Sequence, residues 1–311
     1  MTMRPSAGIM ALQCVQASRL RTRTGPGEPM AMNIRKLLEQ ATQKLSASHP
    51  DSARIDAEIL LCHALAAHRS FIYANPELEL PAQRRQDFLH LVRERSLGTP
   101  IAYLTGTRSF WSLELMVNAH VLIPRPETEL LVETALSLVP ASTVQRVVDL
   151  GTGSGAIALS LAKERPTWEV HAADLSAPAL EVAKENARRN GLEHVQFHLG
   201  SWTEPLAGKF DLIVSNPPYV AQEDAHLLQG DCRFEPRMAL TPGGDGLDAL
   251  RQIATESRSV LNPGGWLLLE HGYRQGPAVR ALLNSTGYME VRTIRDLAGI
   301  ERVCCGRAYG P

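Results

Sequence analysis

Val147-Val148-Asp149-Leu150-Gly151-Thr152-Gly153-Ser154-Gly155 reads as a buried strand that turns into a helix through three alternate glycines. Glycine is needed at such a turn because the chain bends tightly and a ligand must approach the backbone with no Cβ in the way. By itself the stretch is ambiguous. Gly151, Gly153 and Ala156 also satisfy the dinucleotide fingerprint G-x-G-x-x-G/A, so an NAD-dependent oxidoreductase is one reading that other residues must decide against.

Outward from this turn, strands and helices alternate. Strand-like segments fall at 146–150, 169–174, 195–199, 211–215, 266–270, 290–294 and 302–305, with helical periodicity to Arg165, to Asn190, from Leu247 to Leu261 and after Gln275. Repeated strand–helix units predict an α/β fold whose mainly parallel sheet is covered on both faces, with ligands at the carboxyl ends of its strands. Asp149 brings a carboxylate close to the turn, where it suits a cationic amino-sulfonium ligand better than a pyrophosphate. Asp174 ends the second strand, 19 residues beyond Gly155, where a carboxylate accepts both hydroxyls of an adenosine ribose in either cofactor class. Its competing role is a helix cap, which Ser176 can fill instead. Trp202 follows the third strand, where an aromatic ring stacks on adenine or simply joins the core.

The segment 211–215 runs into Asn216-Pro217-Pro218-Tyr219. Two successive prolines lack N–H groups and have stiff φ angles, so they hold a rigid extended edge with exposed carbonyls rather than continuing a ladder. An amide or aromatic amine attacks a sulfonium methyl only when its delocalised nitrogen lone pair is localised and aimed. The side-chain oxygen of Asn216 and the backbone carbonyl of Pro217 would each accept one N–H of an NH2 group, and Tyr219 would stack on its plane. No strong base is required, since the product loses its proton after transfer. The pair of motifs therefore points to S-adenosyl-L-methionine and a planar NH2 acceptor.

Upstream the chain has a different character. Ile34, Leu37, Leu38, Ala41 and Leu45 recur at helical spacing, as do Ile55, Ile59, Leu60, His63 and Ala64, with Asp51 or Ser52 placed to cap the second helix. A third helix starts at Pro81 and carries Phe88, Leu89, Val92 and Leu97. This bundle has no chemistry of its own and reads as a recognition or positioning module. Between Pro100 and Pro124 the pattern is strand-like, a hairpin through Phe110, Trp111, Leu113, Leu115 and Val117. The next helix carries Leu130, Leu131, Ala135 and Leu138, with Glu127 and Glu129 in its first turn, where they favour the helix dipole. Residues 1–31 carry Arg4, Arg19, Arg21 and Arg23 with no acid before Glu28; they read as a disordered extension, a transit peptide, or the trace of a start upstream of Met30 or Met32.

Composition narrows the function classes. Among 311 residues, 32 Lys and Arg balance 33 Asp and Glu, so no global basic excess advertises a nucleic-acid substrate. Five cysteines without a Cys-x-x-Cys spacing argue against a disulfide framework and a structural zinc site, and fit reduced thiols in a cytosol. Cys304 and Cys305 are adjacent on a strand and read as core thiols. His194 and His198 read as residues of one strand, about 13 Å apart and so too far to chelate one ion; no metal is expected. The apolar runs fall short of the roughly 20 residues of a membrane helix. Arg125, between two prolines, either orders its segment through a carboxylate or reaches the cofactor region. Glu270 either supports the tetrapeptide or caps a turn, and Phe234-Glu235-Pro236 is placed to shape an acceptor pocket.

From about Met32 to Tyr309 the sequence resembles the HemK/PrmC family of peptide chain release factor glutamine N5-methyltransferases. The resemblance rests on the order of Asp56-Ala57-Glu58-Ile59-Leu60-Leu61, Pro100-Ile101-Ala102-Tyr103-Leu104-Thr105-Gly106, Phe110-Trp111, Leu122-Ile123-Pro124-Arg125-Pro126-Glu127-Thr128-Glu129, the glycine turn, the tetrapeptide, Arg233-Phe234-Glu235-Pro236 and Leu269-Glu270-His271-Gly272. It implies a Rossmann-like class I methyltransferase with a seven-stranded, mostly parallel sheet over 125–311, a small N-terminal helical domain that recognises the release factor over 32–99, and a hairpin linker over 100–124. The implied acceptor is the glutamine of the Gly-Gly-Gln motif in class I release factors. The implied cofactor positions are Gly151, Thr152, Gly153, Ser154, Gly155, Asp174, Trp202 and Asn216. The substrate positions are Asn216, Pro217, Pro218 and Tyr219, of which Asn216, Pro217 and Tyr219 are the catalytic ones. A cytoplasmic enzyme is expected, with neither membrane nor nucleic acid as partner. Enzymes that methylate a ribosomal-protein glutamine, and adenine-N6 nucleic-acid methyltransferases, share parts of this pattern and remain the alternatives.

Overall fold

The computed structural model describes residues 32–140 and 144–309; the expectations for residues 1–31 lie outside them. The chain divides into two compact units, with the boundary between Thr105 and Gly106.

The first unit is helical: α1 (Ile34–Ser46), α2 (Ala53–Leu65), α3 (Arg69–Ala74), α4 (Ala82–Ser96) and the short α5 (Ile101–Thr105). Asn33 caps α1 by accepting from Lys36 N at 3.0 Å, and the stripe Ile34, Leu37, Leu38, Ala41 and Leu45 is buried as its spacing predicts. Three expectations need correction. In α2 the buried residues are Ala53, Asp56, Ala57, Glu58, Leu60, Leu61 and Ala64, while Ile55, Ile59 and His63 are exposed. In α4, Leu89 and Leu97 are exposed and Arg95 is buried with Phe88 and Val92. The cause is an ion pair: Arg95 Nε donates to Asp56 Oδ2 at 2.7 Å, which lets two charged side chains occupy the helix interface and rotates the apolar stripes around them. Ile101–Thr105 is a helical turn rather than part of an extended run. Ser52 holds the N-cap position of α2 with no capping hydrogen bond from its side chain.

The second unit opens with the antiparallel hairpin β1 (Thr107–Phe110) and β2 (Leu113–Met116), then α6 (Glu129–Leu138). There follow β3 (Arg146–Leu150), α7 (Ala156–Glu164), β4 (Glu169–Asp174), α8 (Ala177–Asn190), β5 (Gln196–Leu199) and β6 (Phe210–Ser215). After the short α9 (Arg237–Leu240) come α10 (Asp248–Val260), β7 (Leu261–Glu270), α11 (Gly276–Ser285), β8 (Met289–Arg295) and β9 (Glu301–Arg307). The strands form one sheet of order β5-β4-β3-β6-β7-β9-β8, in which β9 pairs antiparallel with both neighbours and the other pairings are parallel. The seven-stranded sheet is thus the expected one. β7 starts five residues earlier than its apolar run suggests, through Asn262-Pro263-Gly264-Gly265, and its register with β6 shifts there.

Helices cover both sheet faces because β3, β4, β6 and β7 are apolar on both sides. Val147 and Leu212 face one core, Val148 and Ile213 the other. Cys304 and Cys305 are both buried and divide between these two cores, as adjacent strand residues must. His194 lies in the turn before β5 and not on the strand, while His198, on β5, hydrogen-bonds His171 across the β4–β5 pair at 2.8 Å. Among the described residues no helix is long and apolar enough to cross a membrane.

Candidate active site

The sheet order reverses between β3 and β6, and that reversal opens a crevice at their carboxyl ends. Leu150 and Ser215 are register partners, and Ser215 Oγ donates to Leu150 O at 2.7 Å. The glycine turn and the tetrapeptide therefore leave the sheet side by side. One cavity collects Gly151, Thr152, Gly153, Ser154, Asp174 and Trp202 from the cofactor residues, with Asn216 and Pro218 from the tetrapeptide. Gly155, Pro217 and Tyr219 do not line it. Gly155 begins α7, where a Cβ would press on Leu159 and Ala183.

The turn fits an adenosyl-sulfonium ligand by its shape and its acceptors. Gly153 sits at φ +55°, and a Cβ there would project into open space, so the missing side chain leaves a cradle along the backbone. Gly151, at φ +73°, has no room for one: a Cβ would stand 3.3 Å from Trp202 Cζ3. Asp174 Oδ2 accepts from Gly153 N and Oδ1 from Ser176 N, each at 2.8 Å. Leu175 N–H is a third backbone donor to this carboxylate, and with about four lone-pair sites one remains free for a ribose hydroxyl. Burial raises the Asp174 pKa, opposed by these backbone donors. Ser176 accepts from Ala179 N and is the cap of α8, the role in question for Asp174. Leu175, Ile157 and Ala179 give the cavity its apolar wall.

Asp149 lies close to the turn as expected, but its carboxyl does not face the ligand cavity. It is fully buried behind the turn, where Oδ2 accepts from Thr152 Oγ1 at 2.6 Å and from Ala158 N at 3.3 Å. Burial pushes its pKa to about 7. Within the structure it braces the turn from behind and is absent from the cavity wall.

The tetrapeptide is held by residues from elsewhere in the chain. Asn216 Nδ2 donates to Thr128 Oγ1 at 3.0 Å, the Tyr219 hydroxyl donates to Glu270 Oε1 at 3.1 Å, and Gln275 Nε2 donates to Tyr219 O at 2.9 Å. Gly246, at φ +82°, lets the backbone pass against Tyr219 O, which a Cβ would strike. Glu270 thus supports the tetrapeptide, one of its two expected roles. Its carboxyl is 2 % exposed, and burial lifts its pKa to about 7 against the pull of the Thr128 and Tyr219 hydroxyls. Burial, then the adjacent Glu270 carboxyl, raises the Tyr219 pKa and keeps the phenol neutral.

Glu235 is 4 % exposed; it accepts from Ile123 N at 3.0 Å and pairs with Arg125. Arg125 therefore orders its segment through a carboxylate, and it also lines the cavity. Pro236, Met238 and Ala239 line the wall, whereas Phe234 and Glu235 do not. Thr128, Gly246 and Gln275 are the functional neighbours that sequence reading missed. Thr128 was visible only as one letter of the segment Leu122 to Glu129.

Comparison with known proteins follows the same division of the chain. A family profile described as "Methyltransferase small domain" matches residues 126–246, and one described as "PrmC N-terminal domain" matches residues 36–106. The release factor glutamine methyltransferase of Xylella fastidiosa is 51% identical over 275 residues, which is 88% of this chain and 98% of the relative. That of Salmonella typhimurium is 48% identical over 277 residues, 89% of this chain and 99% of the relative. Among solved structures, the hMettl16 catalytic domain in complex with the MAT2A 3'UTR hairpin 6 superimposes with a TM-score of 0.54 at 18% identity, covering 71% of this chain and 82% of that one. This last likeness speaks to the fold alone.

Proposed function

The chain belongs to the release factor glutamine methyltransferase family, and from that premise we propose that it methylates the side-chain amide nitrogen, N5, of the glutamine in the Gly-Gly-Gln motif of class I peptide chain release factors. It is an S-adenosylmethionine-dependent protein methyltransferase of Rossmann-like fold. The observation that carries the assignment of the site is that Asn216 and Pro218 share one cavity with the glycine turn, Asp174 and Trp202.

Bound S-adenosyl-L-methionine supplies an electrophilic methyl group. The chain's residues do the remaining work by holding and aiming. Gly151 to Ser154 would bring backbone against the cofactor, with Gly155 shaping the start of α7 behind them; Asp174 would accept from its ribose and Trp202 would flank its adenine. Asn216 Oδ1 and the Pro217 carbonyl each accept one N–H of the glutamine amide, which localises the nitrogen lone pair toward the methyl group. Partial positive charge on that nitrogen is met by the same two oxygens, an electrostatic contribution that grows in the transition state. Tyr219, neutral and tied to Glu270, packs beside the amide plane. The proton leaves the alkylated nitrogen after transfer, so no base of high pKa is needed.

The helical segment 32–99 serves as the release-factor recognition domain, with residues 100–124 as linker and 125–311 as the methyltransferase domain. The enzyme works in the cytoplasm, where its substrate is found. The matched N-terminal profile supports the first of these assignments.

Labelled cofactor, offered with release factor, ribosomal protein and nucleic acid in separate reactions, tests the reading. Mass spectrometry is expected to map the label to the Gly-Gly-Gln glutamine. Label confined to a ribosomal protein or to nucleic acid would overturn it.

A further inference from the structure

An asparagine amide has nearly the same shape with its oxygen and nitrogen exchanged, yet the two orientations are chemically opposite. An acceptor NH2 group needs the oxygen. If Asn216 turned its own NH2 toward the acceptor, donors would face donors and the lone pair would not be localised. Something must choose.

Thr128, 4 % exposed and 88 residues upstream, receives Asn216 Nδ2 at 3.0 Å. A hydroxyl has one proton to donate and two lone pairs with which to accept. The Glu270 carboxyl lies beside it: Oε1 takes the Tyr219 hydroxyl, Oε2 is buried without a close hydrogen-bond partner among the described residues, and the Thr128 hydroxyl pulls on the carboxyl. In its ionised form, populated above about pH 7, this carboxyl can only accept, and it draws the Thr128 proton to its side. The Thr128 oxygen then presents lone pairs to Asn216, which only the amide nitrogen satisfies.

We propose that Thr128 and Glu270 are positioning residues that lock the Asn216 side chain with its carbonyl oxygen toward the acceptor, so that the site selects a nucleophile with N–H groups to donate. This inference rests on the role given to Asn216 above. Neither residue touches the reacting atoms; each acts through Asn216.

The test uses Thr128→Val, which keeps the shape and removes the hydroxyl, with Thr128→Ser as the conservative partner and Glu270→Gln as the weaker perturbation. Two readouts are needed. The first is the side-chain amide resonance of Asn216 in protein labelled with 15N-asparagine, assigned by its loss in Asn216→Ser. It is expected to show one protected proton in the parent and in Thr128→Ser, and to move to the position of a free amide in Thr128→Val. The second is turnover on release factor, expected to fall about tenfold or more in Thr128→Val with cofactor affinity, measured by calorimetry, within about twofold. Thr128→Ser is expected to restore most of kcat, and Glu270→Gln to lie between. An unchanged amide resonance in Thr128→Val would overturn the proposal, as would parental kcat in that variant. Equal loss of cofactor binding and turnover in both threonine variants would also overturn it, by marking a structural role. If the parent fails to methylate release factor, the functional reading falls, while the amide resonance still decides the orientation.

Discussion

The turn after β3 and the tetrapeptide after β6 leave neighbouring strands at matched positions, but they are held in opposite ways. The turn is held mainly by its own backbone and near neighbours: its glycines adopt left-handed φ angles, Thr152 bonds Asp149 three residues away, and Asp174 and Asn186 close it from β4 and α8. The tetrapeptide depends on distant residues, Thr128 before the sheet, Gly246 ahead of α10, Glu270 at the end of β7 and Gln275 before α11. One half of the site recognises with backbone, the other with side chains whose orientation is set from outside. A cofactor with many acceptors and an adenine ring tolerates the first arrangement. An NH2 group that must be aimed requires the second.

The sharpest way to break this contrast is Asn216→Ala. Loss of one of two acceptors is expected to lower turnover by roughly a hundredfold or more, with the circular dichroism spectrum unchanged. Near-parental turnover would make the tetrapeptide a structural corner.

Gly246→Ala separates the halves more gently. Its Cβ would collide with Tyr219 O, stand 3.0 Å from Ala221 N and occupy a φ of +82°, a conformation costing about 1–2 kcal/mol for an L-residue. The KM for release factor is expected to rise several-fold with calorimetric cofactor affinity unchanged. If cofactor affinity falls in step, the two halves are not independent.

A pH series reports one carboxyl from each half. Asp149 is raised from 3.8 and Glu270 from 4.5, each to about 7. Between those ordinary values and about 7 the folded protein holds protons that the unfolded chain has released, so both groups contribute stability at low pH that is lost as pH rises toward and through 7. His171, His198 and His271, whose pKa values burial lowers, act in the opposite sense, so the carboxyl contribution is read as a difference: between pH 5 and pH 8 the urea midpoints of Asp149→Asn and Glu270→Gln are each expected to fall less, or rise more, than the parent's. A slope unchanged in Asp149→Asn or in Glu270→Gln would mean that the carboxyl removed is not held neutral.

Trp202→Phe should have the smallest effect. It keeps an aromatic face beside Gly151, so a few-fold weaker cofactor affinity is expected, with the KM for release factor unaltered. A loss beyond about tenfold would assign the indole more than stacking.

The same asymmetry governs what was legible in the sequence. The alternation of strands and helices, the turn at 151–155, Asp174 with Ser176 as the competing cap, and the stripe of α1 each depend on residues a few positions apart. Their periodicity carries them. The face of α2 was not legible because Asp56 is made buriable by Arg95, 39 residues away, and no pattern within α2 records that partner. Ile101–Thr105 resembled a strand by composition, although it forms one helical turn. Asp149 was correctly placed near the turn, yet which side of the backbone its carboxyl occupies depends on Thr152 and Ala158. Thr128 was legible only as a letter of the segment 122–129, since a threonine before a helix is ordinary until Asn216, which follows β6, is set beside it.

The wide spacing of the tetrapeptide's partners has a consequence in time. A chain emerging from the ribosome has made the glycine turn, Asp174 and Trp202 some seventy residues before Glu270 and Gln275 follow. At about 5–20 residues per second this is an interval of several seconds. The capacity to hold the methyl donor is therefore encoded well ahead of the capacity to aim an acceptor at it, and the last strands of the sheet turn a binding protein into an enzyme.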